Sequence, residues 1–228
     1  MLSGRSLQLE VLEDRIALTH SPFAPESLVN QTPLQVPLGF DTEPPILLAV
    51  ANDAEGNFAV TYANQTQKGS QLFVRLFDET GQPTTSEIAV TAQDVSLGQN
   101  PHLDIAMDAD GDFVVVFDLF DRQSQSNVVF AQQFSAEGTA LSGPIKVSDF
   151  AFSSAGAVAM DDEGNFVVAF SDGSDLFVQR FSSAGVEIGD EVLIADDVNG
   201  AIISSPDLDA DSDGNLVVPL TAQINADT

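Results

Sequence analysis

The chain is poor in several residue types, and each shortage excludes a class of protein. It has no cysteine and no tryptophan among its 228 residues, and only 7 lysines and arginines against 35 aspartates and glutamates. Without cysteine, disulfide bonds and thiol catalysis are excluded. The formal net charge of -28 argues against nucleic acid or an anionic membrane surface as a partner, because both attract positive charge. Divalent cations and cationic surfaces are the partners that this charge favours.

Long apolar segments are absent as well. No stretch approaches the roughly 20 apolar residues of a membrane span. No uninterrupted apolar run follows the basic start of the chain, so a conventional signal peptide is not expected. The repeat region has no sustained apolar period of 3.6 residues, and we therefore predict an all-β fold. With 43% hydrophobic residues, the chain can bury the core of one domain.

What the chain does contain is a unit of about fifty residues that returns three and a half times. Its first landmark is an acidic turn followed by an apolar run, at 53–58 (DAEGNF), 108–113 (DADGDF), 161–166 (DDEGNF) and 211–216 (DSDGNL). Its second landmark is an aromatic strand that ends in a glycine turn, at 73–81, 130–138 and 177–185. Such a period indicates a supersecondary unit that is duplicated and stacked.

Each full unit is predicted to form four short strands. In the second unit, 103–107 enters the acidic turn, 113–117 leaves it, the aromatic strand follows, and 145–148 is the fourth. An Asp-Gly pair between apolar runs is typical of a hairpin, because glycine accepts the positive φ of the turn. The strand 113–117 (FVVVF) is apolar on both faces. A strand with two apolar faces favours a sheet sandwiched between neighbouring sheets, as in stacked propeller blades.

The ends of the array leave its closure open. The fourth copy lacks the aromatic strand, and Pro219 stands where a ladder residue is expected. The segment 33–39 (PLQVPLG) resembles an isolated fourth strand. One hypothesis is that the two ends form a composite last blade, one strand short, that closes a small four-bladed ring. The alternatives are an open array, pairing with another copy through exposed edges, or a truncated piece of a longer ancestor.

The consensus A-M-D-x-D-G-N-F-V-V-x-F, followed by F-V-x-R-F-x-x-x-G, covers about residues 44–220. It resembles the fifty-residue β-propeller-like repeats of large bacterial extracellular proteins. That family often has tryptophan where Tyr62, Phe117 and Phe170 stand. The resemblance implies an extracellular, structural or binding function and names no catalytic residue.

A second resemblance concerns the start of the chain. The segment 9–18 (LEVLEDRIAL) is similar to the Leu-Glu-x-Leu-Glu-x-Arg element of predicted surface proteins of some aquatic bacteria. The resemblance implies export to the cell surface, and the alternatives are an amphipathic helical turn or a disordered leader. We expect residues 1–28 to form a disordered leader or targeting segment and residues 29–228 to form the repeat domain.

One turn has a spacing that suits a metal. The run D-x-D-x-D-G-N places alternating carboxylates in a tight loop, which is how proteins bind calcium. The second turn keeps three carboxylates. The candidate calcium ligands are Asp209, Asp211, Asp213 and Asn215 in the fourth turn and Asp108, Asp110 and Asp112 in the second. The alternative is turn chemistry without metal, because Asp and Asn accept backbone hydrogen bonds in turns.

Catalysis has little support in the sequence. The two histidines, His20 and His102, suggest no pair or triad. We therefore expect a non-enzymatic exported or cell-surface protein with a structural or interaction role, whose partner is an envelope protein or a polysaccharide. The second hypothesis is a calcium-dependent adhesion or matrix module. The third is a carbohydrate-active enzyme with two carboxylates in a concave pocket.

Overall fold

The structure is a computed structural model of the whole chain. It describes residues 48–66, 69–92, 95–97, 102–122, 125–148, 154–172 and 175–196, with short stretches at 11–12, 15–16, 203–204, 208–210, 216–217 and 221–222. The described elements are strands, and this part of the chain contains no helix. None of its elements is therefore a helix long and apolar enough to cross a membrane.

Three four-stranded sheets make up most of the described chain. Each is an antiparallel meander in which consecutive strands are neighbours. The strands before the first sheet are β1 (Val11–Leu12) and β2 (Arg15–Ile16), which pair with each other. The first sheet contains β3 (Leu48–Asn52), β4 (Phe58–Thr66), β5 (Gly69–Phe77) and β6 (Ile88–Ala89). The second contains β7 (Leu103–Met107), β8 (Phe113–Asp121), β9 (Ser126–Phe134) and β10 (Ile145–Lys146). The third contains β11 (Ser154–Met160), β12 (Phe166–Ser171), β13 (Leu176–Phe181) and β14 (Val192–Ala195).

The all-β prediction and the four-stranded repeat are confirmed. The acidic turn joins the first two strands of each sheet, and its glycine has a positive φ, as at Gly56 (91°), Gly111 (93°) and Gly164 (80°). The turn after the aromatic strand also uses a glycine with positive φ, as at Gly138 (78°). These positions need glycine because other residues rarely adopt such a backbone conformation.

The sheets stack face to face, as the two-sided apolar strands predict. Residues Phe113 to Phe117 of β8 are at most 1% exposed, so both faces of this strand are buried. One face packs on the first sheet, where Phe113 and Val115 share a cluster with Leu72 and Val74. The opposite face packs on the third sheet, in the cluster of Val114, Val116, Val129, Ala131, Val147, Val158, Phe166, Val168, Phe170 and Phe181. Each sheet is thus stabilised mainly by its neighbours.

Cross-strand aromatic pairs recur at the same register in each sheet. Phe113 and Phe134 lie directly opposite each other in the ladder, and their ring centroids are 5.0 Å apart. The equivalent stacked pairs are Phe58 with Phe77 and Phe166 with Phe181, and a second pair lies four residues along each strand: Tyr62 with Phe73, Phe117 with Phe130, and Phe170 with Phe177. Most of the phenylalanines therefore serve the core.

The fourth unit is described only in short strands. They are β15 (Ile203–Ser204), β16 (Asp209–Ala210), β17 (Leu216–Val217) and β18 (Thr221–Ala222). β16 pairs with β17 across the fourth acidic turn, and β15 pairs with β18. Leu208, at 7% exposure, belongs to the cluster on the open face of the third sheet. The fourth unit therefore continues the stack.

Pro219 and the segment 33–39 lie outside the described residues, so closure into a four-bladed ring stays a prediction. Most of the expected leader, 1–28, lies outside them too, and the domain boundary also stays a prediction.

Candidate functional site

The first three acidic turns share one hydrogen-bond pattern. In the first turn, Asp53 Oδ1 accepts the backbone amides of Glu55 (2.9 Å) and Asn57 (2.8 Å). Asp108 does the same with Asp110 (3.0 Å) and Asp112 (2.9 Å) in the second turn. Asp161 accepts the amides of residues 163 and 165 in the third. The first aspartate of each turn is thus an acceptor for its own loop.

The first and second turns differ in charge balance. Burial acts to raise the pKa of Asp53, but hydrogen bonds from the Asn57 side chain, at 2.7 Å, and from nearby backbone amides hold that pKa below its usual value. Burial raises the pKa of Asp108, and the like charge of Asp112 adds to the rise against the backbone hydrogen bonds that lower it. The first turn has Asn57 at the position where the second turn has Asp112. This difference contributes to the opposite pKa shifts of Asp53 and Asp108.

The predicted calcium ligands of the second turn do not form a cluster. Asp108 Oδ1 is occupied by the two backbone amides, and Asp112 Oδ1 accepts the amide of Ala136 at 2.9 Å. Within the described ranges, no group of three or more Asp, Glu, His or Cys side chains is arranged to hold a metal. The backbone of Asp209 lies in β16, whereas Asp211, Asp213 and Asn215 lie outside the described residues. Calcium binding at either turn stays a prediction.

A cleft of about 510 Å³ lies between the first and second sheets at the end that carries the acidic turns. The first sheet contributes one wall, with Glu55 in its acidic turn and with Thr84 and Thr85. The second sheet contributes the other wall, with Asp110 in its acidic turn and Glu137 in the turn after its aromatic strand. The full lining is Asp53, Glu55, Asn57, Phe58, Leu76, Phe77, Thr84, Thr85, Met107, Ala109, Asp110, Gly111, Ala136 and Glu137.

The two walls meet at the acidic turns. A Cβ on Gly111 would lie 3.6 Å from Asp53 Oδ2, a van der Waals contact distance, so the second turn lies directly against the first. The same relation recurs one repeat later, where a Cβ on Gly164 would lie 3.5 Å from Asp108 Oδ2. Asp53 is buried at this junction, whereas Glu55, Asp110 and Glu137 are exposed. The exposed carboxylates are therefore the groups available to a ligand.

The cleft is rich in acceptors and has no cationic lining residue. Its four acidic residues come from both sheets, and none of its fourteen lining residues is lysine, arginine or histidine. The nearby Arg75 is 6% exposed, donates from Nε to the Thr85 carbonyl at 3.2 Å, and lies 5.5 Å from the centroid of the Phe77 ring. Arg75 thus supports the wall at Thr85 from within the sheet.

Aromatic side chains do not supply an open stacking surface in this cleft. Phe58 and Phe77 border it, but they stack on each other on the face of the first sheet that also carries Val60 and Tyr62. Tyr62, the one tyrosine, is 7% exposed and donates to Glu87 Oε1 at 2.6 Å. Burial and this carboxylate raise the pKa of Tyr62 far above its usual range. Ligand recognition in the cleft therefore falls to polar groups.

His102 has a structural partner. Its Nδ1 lies 3.4 Å from Oδ2 of Asp118, a carboxylate that is 0% exposed. His102 does not line the cleft.

Sequence patterns point to only part of this site. Glu55 and Asp110 belong to the acidic turns, and the repeat singles them out. Thr84 and Thr85 have no local signal, and Glu137 lies in the glycine turn of the second landmark without being marked as a site residue. All three reach the cleft only through the packing of one sheet on the next. A motif search that looks for neighbours in sequence does not find residues that meet across two sheets.

No protein-family model and no curated protein sequence matches the chain. Among solved structures, it is similar to the lectin of Aleuria aurantia, a six-bladed β-propeller that recognises fucose, with 15% identity and a TM-score of 0.49. The match covers 91% of this chain and 63% of the lectin. It is also similar to an endo-arabinase from Bacteroides thetaiotaomicron, with 14% identity and a TM-score of 0.46, over 76% of this chain and 68% of the enzyme.

A third similar structure is a calcium-binding protein, regucalcin, from Agrobacterium tumefaciens, with 12% identity and a TM-score of 0.41. That match covers 77% of this chain and 68% of regucalcin. At these identities the similarity concerns the fold alone. The chain spans less than two thirds of the lectin that it matches.

The expectation that the chain is not an enzyme is corrected by these matches. The similar structures include the endo-arabinase, further glycoside hydrolases and an aldose sugar dehydrogenase. The physical reason lies in the stacking of the sheets. Sequence motifs mark catalytic groups that are close together along the chain, whereas stacked sheets bring carboxylates about one repeat apart into one cleft.

Proposed function

We propose that this chain is a carbohydrate-active protein whose substrate binds in the cleft between the first and second sheets. The observation that carries the proposal is the set of exposed carboxylates on opposite walls: Glu55 on one side, Asp110 and Glu137 on the other. A saccharide presents hydroxyl groups in many directions, and carboxylates accept hydrogen bonds from such groups strongly. A volume of about 510 Å³ falls within the range of small-ligand sites.

The charge of the cleft restricts the sugar class. With four acidic lining residues and no basic one, the cleft repels uronic acids and sulfated sugars. It accepts neutral sugars, and it favours an amino sugar whose ammonium group gains charge-assisted hydrogen bonds to the carboxylates. We therefore expect a glucosamine-containing oligosaccharide to bind more tightly than its neutral counterpart.

The same carboxylates support chemistry on the bound sugar. Cleavage of a glycosidic bond requires two carboxyl groups on either side of that bond, one as acid and one as base or nucleophile. Glu55 faces the second wall from the first sheet, and Asp110 and Glu137 belong to that second wall. The pair for hydrolysis is therefore Glu55 with Asp110 or Glu137.

Binding and hydrolysis are tested with one panel of variants. Chitosan oligosaccharides, neutral gluco- and manno-oligosaccharides and oligouronates are titrated calorimetrically, and new reducing ends are measured after incubation. We expect Glu55→Gln and Asp110→Asn to weaken binding of the amino sugar at least tenfold, and Glu55→Gln with Glu137→Gln to abolish release of reducing ends. Glu163→Gln is the matched control, because Glu163 is exposed and holds the turn position of Glu55 and Asp110 but does not line the cleft.

Two results would contradict the proposal. One is the absence of both binding and turnover across the whole panel. The other is binding that Glu163→Gln weakens as much as Glu55→Gln does, because such a result would assign the effect to net charge instead of to the cleft.

An exported or cell-surface location is part of the same proposal. Polymeric saccharides of the envelope and matrix lie outside the cell, and the resemblance of the N-terminal element points the same way. Fractionation of cells that express the full chain tests it, with the protein expected in the envelope or medium fraction and the proposal contradicted by recovery in the cytoplasmic fraction alone.

A further inference from the structure

The glycine turn of the second sheet differs from the equivalent turns of its neighbours at one position. Glu137 is the third residue of this turn, where the first sheet has Thr80 and the third sheet has Ala184. Departures from a pattern that the rest of a fold obeys concentrate at functional sites. Glu137 also lines the cleft between the first and second sheets. It is therefore a cleft carboxylate that the repeat itself does not require.

Asp110, the other exposed carboxylate of the second wall, follows the repeat instead. Its position in the acidic turn holds Glu55 in the first sheet and Glu163 in the third. Glu163 does not line the cleft. The acidic turn thus has a carboxylate at this position whether or not the cleft is present, so Asp110 adds negative charge to the cleft without being specific to it.

The side chain and the backbone of Glu137 are both held. The Ser135 hydroxyl donates a hydrogen bond to Glu137 Oε2 at 2.8 Å. Because a carboxylate is planar, this bond also restricts the direction of its other oxygen. The preceding residue, Ala136, donates its backbone amide to Asp112 Oδ1 at 2.9 Å, which ties the glycine turn to the acidic turn of the same sheet. Glu137 therefore has the restricted orientation that a catalytic carboxylate needs.

The equivalent serine of the third sheet separates two roles of the Ser135 hydroxyl. Ser182 Oγ accepts the backbone amide of Val186 at 3.2 Å, just as Ser135 Oγ accepts the amide of Thr139 at 3.4 Å. This first role belongs to the turn. The second role, donation to a carboxylate two residues later, is possible only in the second sheet, because the third has Ala184 at that position. The second role therefore coincides with the cleft.

We propose that Glu137, and not Asp110, is the carboxylate of the second wall that acts with Glu55 on the glycosidic bond, and that Ser135 is its positioning residue. The inference rests on the proposed function of the cleft. Hydrolysis breaks the bond between the anomeric carbon and the glycosidic oxygen. Overall, that oxygen takes a proton from one carboxyl group, and the anomeric carbon takes hydroxyl from a water whose proton goes to the other carboxylate. Asp110 then serves to attract the ammonium group of the sugar.

Steady-state hydrolysis of chitosan oligosaccharides by the full-length protein tests the assignment. We expect Glu137→Gln to lower kcat about a hundredfold and to leave KM nearly unchanged, because proton transfer by a positioned carboxyl group contributes on that scale. Asp110→Asn is expected instead to raise KM about tenfold, because it removes a charge that attracts the ammonium group. Ser135→Ala is expected to lower kcat about tenfold at unchanged KM, because Glu137 then also occupies unproductive orientations.

Matched variants separate positioning from turn stability. Ser182→Ala removes the same acceptor of a turn amide in the third sheet, so we expect it to shift the melting temperature as Ser135→Ala does and to leave kcat unchanged. Ser135→Thr keeps a hydroxyl donor and is expected to restore most of kcat.

A double variant tests whether Ser135 acts through Glu137. Ser135→Ala combined with Glu137→Gln is expected to have the same kcat as Glu137→Gln alone, because a positioning residue has no effect once the group that it positions is changed. A serine that merely stabilises the fold would lower kcat in both backgrounds.

The outcomes distinguish this inference from the proposed function. Turnover by the parent protein that Ser135→Ala leaves unchanged, or that Ser182→Ala lowers equally, overturns the role of Ser135 alone. A loss of kcat in Asp110→Asn that exceeds the loss in Glu137→Gln overturns the choice of Glu137. The absence of turnover in the parent protein overturns the hydrolytic function, and this inference with it.

Discussion

Gln133 in the second sheet donates a hydrogen bond from Nε2 to the backbone carbonyl of Ser183 in the third sheet, at a distance of 3.0 Å. The two residues are 50 positions apart, which is about one repeat. Gln133 is 3% exposed, and its Oε1 lies close to where a Cβ on Gly185 would be. One repeat earlier, Leu76 lies in the same way beside Gly138. Neighbouring sheets thus join at equivalent points, once by a polar contact and once by an apolar one.

Removing the Gln133 side chain is predicted to destabilise the junction of the second and third sheets. Gln133→Ala leaves the Ser183 carbonyl without this donor and opens a gap, so we expect a loss of about 2 kcal/mol in the free energy of unfolding. Gln133→Leu, which copies Leu76, keeps the packing and is expected to cost about half as much. Denaturant unfolding measures both, with the exposed Gln82→Ala as control. A Leu variant less stable than the Ala variant would contradict the interpretation.

Gly138 and Gly81 separate backbone strain from packing. Both have a positive φ, 78° and 81°, so alanine at either position is expected to cost about 1 kcal/mol from the backbone alone. A Cβ on Gly138 would overlap Ile88 Cδ1, whereas a Cβ on Gly81 would meet nothing within 4 Å. Cδ1 is the far end of the Ile88 side chain, so we expect a change of the Ile88 rotamer to relieve the overlap and Gly138→Ala to cost about 2 kcal/mol in all. Thermal unfolding of the two variants measures the difference, and equal losses would show that Ile88 moves aside without cost.

The second acidic turn is predicted to gain stability from Asp112→Asn. An asparagine keeps the acceptor for the Ala136 amide, removes the like charge beside Asp108, and adds a donor such as Asn165 gives to Asp161 at 3.0 Å. We expect a gain of about 1 kcal/mol in the free energy of unfolding at pH 7. Asn165→Asp in the third turn is the reciprocal variant and is expected to lose a similar amount. A gain in the free energy of unfolding for Asp112→Asn and a similar loss for Asn165→Asp would confirm the role of this position. A loss in both variants would contradict it.

The gain from Asp112→Asn should depend on pH. The pKa of Asp108 is raised above 3.8 in the folded protein, so the folded state binds its proton more readily than the unfolded state does. Its favourable contribution is complete below pH 3.8 and is lost as the pH rises through the folded pKa. Asp112→Asn removes the like charge that contributes to this loss of stability. The variant is therefore expected to be more stable than the parent at pH 7, and the difference is expected to shrink at pH 3. Unfolding curves at the two pH values test this, and a constant difference would contradict it.

The calcium hypothesis for the fourth turn predicts a metal-dependent melting temperature. If Asp209, Asp211, Asp213 and Asn215 bind the ion, excess calcium raises the Tm by several degrees over excess chelator, because a ligand of the folded state stabilises it by mass action. Magnesium is expected to do less, since it requires near-ideal octahedral geometry and gives up its water ligands reluctantly. The double variant Asp211→Asn with Asp213→Asn should abolish the shift, whereas Asp110→Asn should leave it. Identical melts in calcium and chelator would assign the fourth turn to hydrogen bonding alone.

Much of the fold is predictable from the sequence because the information is local and repeated. The predicted first strand 103–107 coincides with β7, and the predicted fourth strand 192–195 coincides with β14. Asp-Gly turns and two-sided apolar strands recur at equivalent positions, so each repeat checks the others. The predicted second strand 113–117 was too short, because β8 continues to Asp121 in a longer hairpin with β9. The uninterrupted apolar run ends at Phe117, and only the pairing with β9 extends β8 beyond that residue.

The sequence by itself determined the class of this protein: an acidic, cysteine-free, all-β stack of four-stranded repeats, whose turns need glycine and whose second strands need neighbours on both faces. The tertiary structure alone decided which residues meet. It brings Glu137 and Thr85 to one cleft with the acidic turns, occupies Asp108 with its own loop, and leaves Leu193 half-exposed on β14. The reason is that turn and strand preferences act over a few residues, whereas a cleft and an edge arise from the packing of sheets whose residues lie tens of positions apart.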